Sequence, residues 1–265
     1  MQLRLLSLIG FLPALLGASF DSPNFTVHAP TAEIAARVAE AAEESRKTIA
    51  EDWLGREVDV WPERCEVFVT PEGRRPDGVT TFRARYGAGT GLRIDLSGPM
   101  ERILDSVLPH EMTHAILASH FKAPLPRWAD EGAATLSEVE TQRHRQSLIV
   151  REIVDGRHRI PLRELLSLRD YPHQPHDKMT LYCIGFSLSD FLVQSGGKPR
   201  YVEFLESSQQ KDWDDCLKSF YGFENVEAFE AGWLKWLSDA PTVPVDAVPV
   251  DAVPISGDVR PDRWI

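Results

Sequence analysis

Two segments govern the reading of this chain: Pro109-His110-Glu111-Met112-Thr113-His114 and, downstream, Leu125-Pro126-Arg127-Trp128-Ala129-Asp130-Glu131-Gly132. His110 and His114 stand four residues apart. On a helix that spacing stacks two imidazoles on one face, one turn apart, where both can grip a single metal ion. Glu111 lies about 100° round the helix from His110, so it serves the same cleft without being a ligand. The pattern is H-E-x-x-H, two zinc-binding histidines and a general base. Arg102-Ile103-Leu104-Asp105-Ser106-Val107-Leu108 before it and Ala115-Ile116-Leu117 after it are apolar enough for a buried helix. Pro109 fits either the first turn of a helix capped by Asp105 or Ser106, or a kink in a longer helix.

A catalytic zinc takes three protein ligands and keeps one position open for water, so two histidines are not enough. Glu131 is the best third donor. It follows His114 after sixteen intervening residues, in a run that reads as the start of a second helix with Pro126 near its first turn. The loop Phe121-Lys122-Ala123-Pro124 lets that helix fold back beside the first. Glu138 and Glu140 match by residue type but lie two turns or more further on. His120, six residues past His114, points away from the ligand face. Asp130, next to Glu131, reads as an exposed cap rather than a partner for a ligand histidine, and Trp128 as packing that fixes Glu131.

These residues resemble the gluzincin metallopeptidases. The likeness is strongest to the peptidase MA-like bacterial proteins, whose third zinc ligand is a Glu in a Trp-x-x-Glu-Gly segment. The resemblance runs from about residue 25 to about 238 and is specific around 105–135. It implies zinc held by His110, His114 and Glu131, and peptide-bond hydrolysis by a zinc-activated water with Glu111 as base. It also implies an oxyanion donor, for which Tyr182 in Leu181-Tyr182-Cys183-Ile184-Gly185-Phe186-Ser187 is the candidate, against a role in packing. An edge strand is the implied holder of the substrate backbone; which strand that is does not follow from sequence. Two alternatives stand beside the peptidase: an exported binding protein that keeps the fold without catalysis, and a zinc amidase acting on cell-wall amide bonds. The presence of Glu111 favours an enzyme, because a structural zinc needs four protein ligands and no base.

The other signals bound this reading. The chain has 265 residues and a net charge of −11, which argues against nucleic acid as a partner, since phosphate binding needs a basic surface. A single positive charge, an apolar stretch from Leu5 to about Gly17 and small residues after it read as a signal peptide cleaved after Ser19, hence export. That stretch is too short for a stable membrane span. Cys65, Cys183 and Cys216 form no C-x-x-C pair and read as buried thiols.

The expected fold is α+β and zincin-like. A sheet lobe (about 24–120) carries strands at 24–28, 65–69, 79–84 and 91–96 with a turn at 87–89. Its long helix, 32–53, is capped by Thr31 and ended by Gly55. A helical lobe (about 121–240) follows, with helices at 126–141, 144–154, 161–168, 179–195, 199–208, 212–221 and 225–238. The loop at 171–177, with His173 and His176, reads as solvated rather than as a second metal site. Residues 241–265, repeating Val-Pro-Val-Asp-Ala, read as a disordered tail.

Overall fold

The protein is seen here as a computed structural model that describes residues 17–72, 76–84, 90–156 and 160–239. The leader, the turn at 87–89 and the tail expected from sequence lie wholly or almost wholly outside that set. The architecture is α+β, with one five-stranded sheet and a mostly helical remainder. The strands are β1 (Ala18–Asp21), β2 (Phe25–Ala29), β3 (Cys65–Thr70), β4 (Asp77–Ala84) and β5 (Thr90–Ser97), in the order β1-β2-β3-β5-β4. The β2-β3 and β3-β5 pairs are parallel; β1 and β4 run antiparallel to their neighbours at the two edges. β1 was not anticipated, because Ala18 and Ser19 read as the end of a leader; Ser19 lies within it, paired with His28.

One face of the sheet is the core face. Phe25 and Val27, Cys65 and Val67, Leu92 and Ile94, and Phe82 alternate inward along their strands. Helix α1 (Ala32–Leu54) covers the β1–β2 side. Thr31 caps it, accepting from the Ile34 amide at 3.2 Å, and Gly55 closes it at φ +67°. The helix that carries His110 and His114 covers the β4–β5 side and touches α1. It is one continuous rod: α2 (Met100–Arg102), a π-helical turn over Ile103–Val107, then α3 (Leu108–Phe121). Pro109 lies within this longer helix, just after the π-helical turn, and neither Asp105 nor Ser106 caps it. Its ring would meet the carbonyl four residues back, and it offers no N–H; the widened turn just before it accommodates both. Nine residues from Leu108 to Leu117 are buried, as expected for a helix packed on all sides.

Lys122, at φ +52°, ends α3 and turns the chain back into α4 (Arg127–Leu136). The expected helix at 126–141 is in fact two elements. α4 stops at Leu136, and α5 (Glu140–Asp155) starts afresh after a short turn. Then come α6 (Leu162–Ser167), α7 (Pro175–Gly196), α8 (Lys198–Ser208), α9 (Trp213–Tyr221) and α10 (Val226–Asp239). α7 opens four residues earlier than expected because Pro175 occupies its first turn. All three cysteines are free and buried. No helix among the described residues is long and apolar enough to cross a membrane.

α4 and α7 cross so closely that both contact points are glycines. A Cβ on Gly132 would overlap Ser189 Oγ and the Gly185 carbonyl, and one on Gly185 would lie 2.6 Å from the Trp128 carbonyl oxygen. This crossing fixes α4, and with it residues 130 and 131. Gly132→Ala should therefore destabilise the fold by about 2–3 kcal/mol, read by denaturant unfolding. An unchanged midpoint would mean that the helices can separate without loss.

Candidate metal centre

α3 presents His110 and His114 on one face, with ring centroids 5.0 Å apart. α4 brings Glu131 to them. His110 Nε2 and His114 Nε2 are 3.3 Å apart, and Glu131 Oε2 lies 3.5 Å from the first and 3.6 Å from the second. Donors at about 2.0–2.1 Å from a tetrahedral zinc sit about 3.3–3.4 Å from each other. The triangle therefore has the size and the donor chemistry that such an ion requires, and it leaves a fourth direction free of these three side chains. The ligand-type atoms of His110, Glu111 and His114 also lie within 4.8 Å of one another.

The far nitrogens of both rings are held as well. His110 Nδ1 is 2.8 Å from Glu138 Oε1, and His114 Nδ1 is 2.7 Å from Asp130 Oδ1. These bonds turn each Nε2 lone pair towards the shared centre, the usual way a ligand imidazole is oriented. Two sequence readings need correcting here. Asp130 is buried, 8% exposed, and is a partner of His114 rather than an exposed cap; its other oxygen receives Arg127 Nη1 at 3.3 Å. Glu138, discounted as a ligand, is the partner of His110. The break after Leu136 swings it back, which an unbroken helix would not do. Glu140 is exposed at the start of α5, and His120 pairs with Glu206 at 2.6 Å instead.

Glu111, 1% exposed, lies beneath β4. Its Oε2 accepts a hydrogen bond from the Thr80 hydroxyl at 2.6 Å. The second residue that sequence reasoning missed is Tyr171, in the α6–α7 loop, whose hydroxyl donates to Glu131 Oε1. Arg127 stacks on the Tyr171 ring at 4.6 Å and binds the Arg169 carbonyl at 3.0 Å, tying that loop to α4. Tyr182 is on α7, buried, with its ring stacked on Tyr171 at 6.0 Å. The structure thus brings His110, His114, Glu131 and Glu111 together and sets Tyr171 between Glu131 and Tyr182. His173 and His176 are exposed, the latter in the first turn of α7. Trp128 is fully buried against Tyr201 and Trp213, as expected of a packing residue.

No protein-family model matches the chain, and no curated protein matches it either. Among solved structures it is similar to a mutant of a two-domain M1 zinc metallopeptidase bound to L-tryptophan, at 17% identity and a TM-score of 0.39. The match covers 86% of this chain and 52% of that one. The chain spans about half the length of that protein, and at this level of likeness nothing carries over from it.

The electrostatics follow from burial. Desolvation pushes the His110 imidazole down, but Glu131, Glu138 and Glu111 outweigh it and leave the ring raised to about 10. Desolvation likewise opposes the His114 cation, and Asp130 with Glu131 raises that ring to about 9. For Asp130, burial favours the acid form; the His114 cation and Arg127 prevail and hold the carboxyl below its usual range. The metal-free centre thus keeps its protons. Both imidazoles bind them more tightly folded than unfolded, so this stability is full below about pH 6.5 and is lost as the pH rises towards 9 and 10. The melting temperature of metal-free protein should fall steadily from pH 6.5 to 8. Burial raises the cysteine thiols in the fold, so they add a small loss of the same sign only near the top of that range. Thermal melts in chelator check this, and a flat or rising profile would contradict it.

Proposed function

We propose that this protein is a zinc-dependent peptidase of the gluzincin type on a zincin-like fold, with His110, His114 and Glu131 as ligands and Glu111 as general base. The triangle of two imidazole nitrogens and one carboxylate oxygen, 3.3–3.6 Å on a side, carries the reading. The buried carboxylate of Glu111, beside the triangle and not part of it, adds to it. A bound zinc ion supplies a Lewis acid that activates water and polarises a carbonyl.

The rest of the chemistry falls to the chain. Glu111 takes the proton of the attacking water and passes it to the leaving amine. Glu138 and Asp130 keep the two imidazoles in register. The developing oxyanion needs a donor. Tyr171 is better placed than Tyr182, since its hydroxyl already reaches the ligand carboxylate while Tyr182 stacks against it. The substrate lies along β4. That strand pairs with β5 on one side and with no strand on the other among the described residues, and its inward face carries Thr80 to the base. An extended peptide adding there would place a backbone carbonyl over the centre. The protein acts on peptides or proteins outside the cytoplasm; the apolar leader of residues 5–17 supports export.

Purified protein supplied with zinc should hold one ion per chain, and Glu131→Ala should lose it. Glu111→Gln should keep the ion and lower turnover of a quenched-fluorescent peptide pool by about a hundredfold or more; Tyr171→Phe should slow it more than Tyr182→Phe. Zinc bound normally with no peptide cleavage, but release of amino groups from cell-wall peptide, would favour the amidase. Turnover of any substrate unaffected by Glu111→Gln would end the account of the base.

A further inference from the structure

Two positions on β4 press on Glu111, and metal binding explains neither. Thr80 Oγ1 lies 2.6 Å from Glu111 Oε2 and 3.0 Å from the Glu111 carbonyl oxygen. Thr80 is buried, and both acceptors within reach of its hydroxyl belong to Glu111, the carboxylate oxygen being the nearer. Two residues earlier, on the same face of the strand, stands Gly78. A Cβ there would fall 2.7 Å from Glu111 Cγ, Glu111 Oε1 and Val107 Cγ1. The backbone at Gly78 is not in the left-handed region; space, not conformation, demands the glycine. The carboxylate of Glu111 therefore sits in a slot that α3 opens and β4 closes.

We propose that β4 positions the general base: Thr80 holds Oε2, which leaves Oε1 to receive the proton, and Gly78 leaves the room in which the carboxylate lies. A glutamate on a helix face has several rotamers, and helix spacing alone selects none of them. The Thr80 hydroxyl selects one. Because β4 is also an edge strand of the sheet among the described residues, a peptide added to it is registered against the element that aims the base. Substrate alignment and proton acceptance then share one reference frame. Thr80 is a positioning residue: it touches the base and not the reacting atoms. This inference rests on the peptidase reading above.

Thr80→Val, an isosteric loss of the hydroxyl, isolates the effect in zinc-loaded protein. It should retain one zinc per chain and melt within a few degrees of wild type. Its kcat on the peptide pool should fall about tenfold or more at nearly unchanged KM, the loss of one hydrogen bond to a charged group. Acetohydroxamate, which chelates as its anion and would pass its proton to Glu111, should weaken by a similar factor in calorimetry, as it should in Glu111→Gln. Thr80→Ser should bring both quantities back to within about threefold. Wild-type kcat and acetohydroxamate affinity in Thr80→Val would overturn the inference and leave the peptidase reading standing. Lost zinc or early melting in Thr80→Val would make Thr80 structural and overturn it as well. A zinc-loaded wild type that neither cleaves peptide nor binds acetohydroxamate overturns both.

Discussion

The structure depends on a concentration of buried negative charge. Glu111, Glu131, Glu138 and Asp130 are all shut away from water around two imidazoles, with Arg127 as the cation among them. Buried carboxylates without compensation cost several kcal/mol each. The centre must therefore take up positive charge, as two protons or as one divalent ion. The raised titration of His110 and His114 expresses the first solution; the inward triangle of lone pairs is shaped for the second. Proton and metal would compete for the same nitrogens, so binding of an ion would release protons.

Each element around the centre earns its place by fixing one donor. The π-turn before Pro109 lets α3 run unbroken across the sheet, so that the two histidines stay one turn apart. The glycine crossing of α4 with α7 sets the height of Glu131. The early stop of α4 returns Glu138 to His110, and Arg127 links Asp130 to the loop that carries Tyr171. β4 closes the last side over Glu111. The side chains of the centre are thus fixed from several elements, and β4 beside them is an edge strand among the described residues.

The parts of this that were legible in the sequence are those with a local period. His110 and His114 follow the helical repeat, Thr31 and Gly55 bracket α1, and four of the five strands alternate within a residue or two of their observed limits. Glu131 was legible because few carboxylates follow the motif at a distance that a folded-back helix can span. What could not be read has a common cause. Asp130 and Glu131 are adjacent, and on an isolated helix they diverge; only the orientation of the His114 ring, with a nitrogen on each side, lets both reach it. Tyr171 meets Glu131 across forty residues from an irregular loop, where no periodicity exists to place it. Thr80 meets Glu111 through the position of β4 at the sheet edge, which pairing order decides and strand propensity does not. The turn at Ser137–Val139 carries neither glycine nor proline, so nothing local announced the end of α4.

Zinc K-edge X-ray absorption on the loaded protein tests the central claim most directly, because it reads the donors without relying on turnover. Two imidazole rings and oxygen donors at about 2.0–2.1 Å in four-coordinate geometry, with no sulfur, are the expected result. Sulfur scattering at about 2.3 Å, or a spectrum with a single imidazole, would place the ion elsewhere and contradict the assignment of His110, His114 and Glu131 as its ligands.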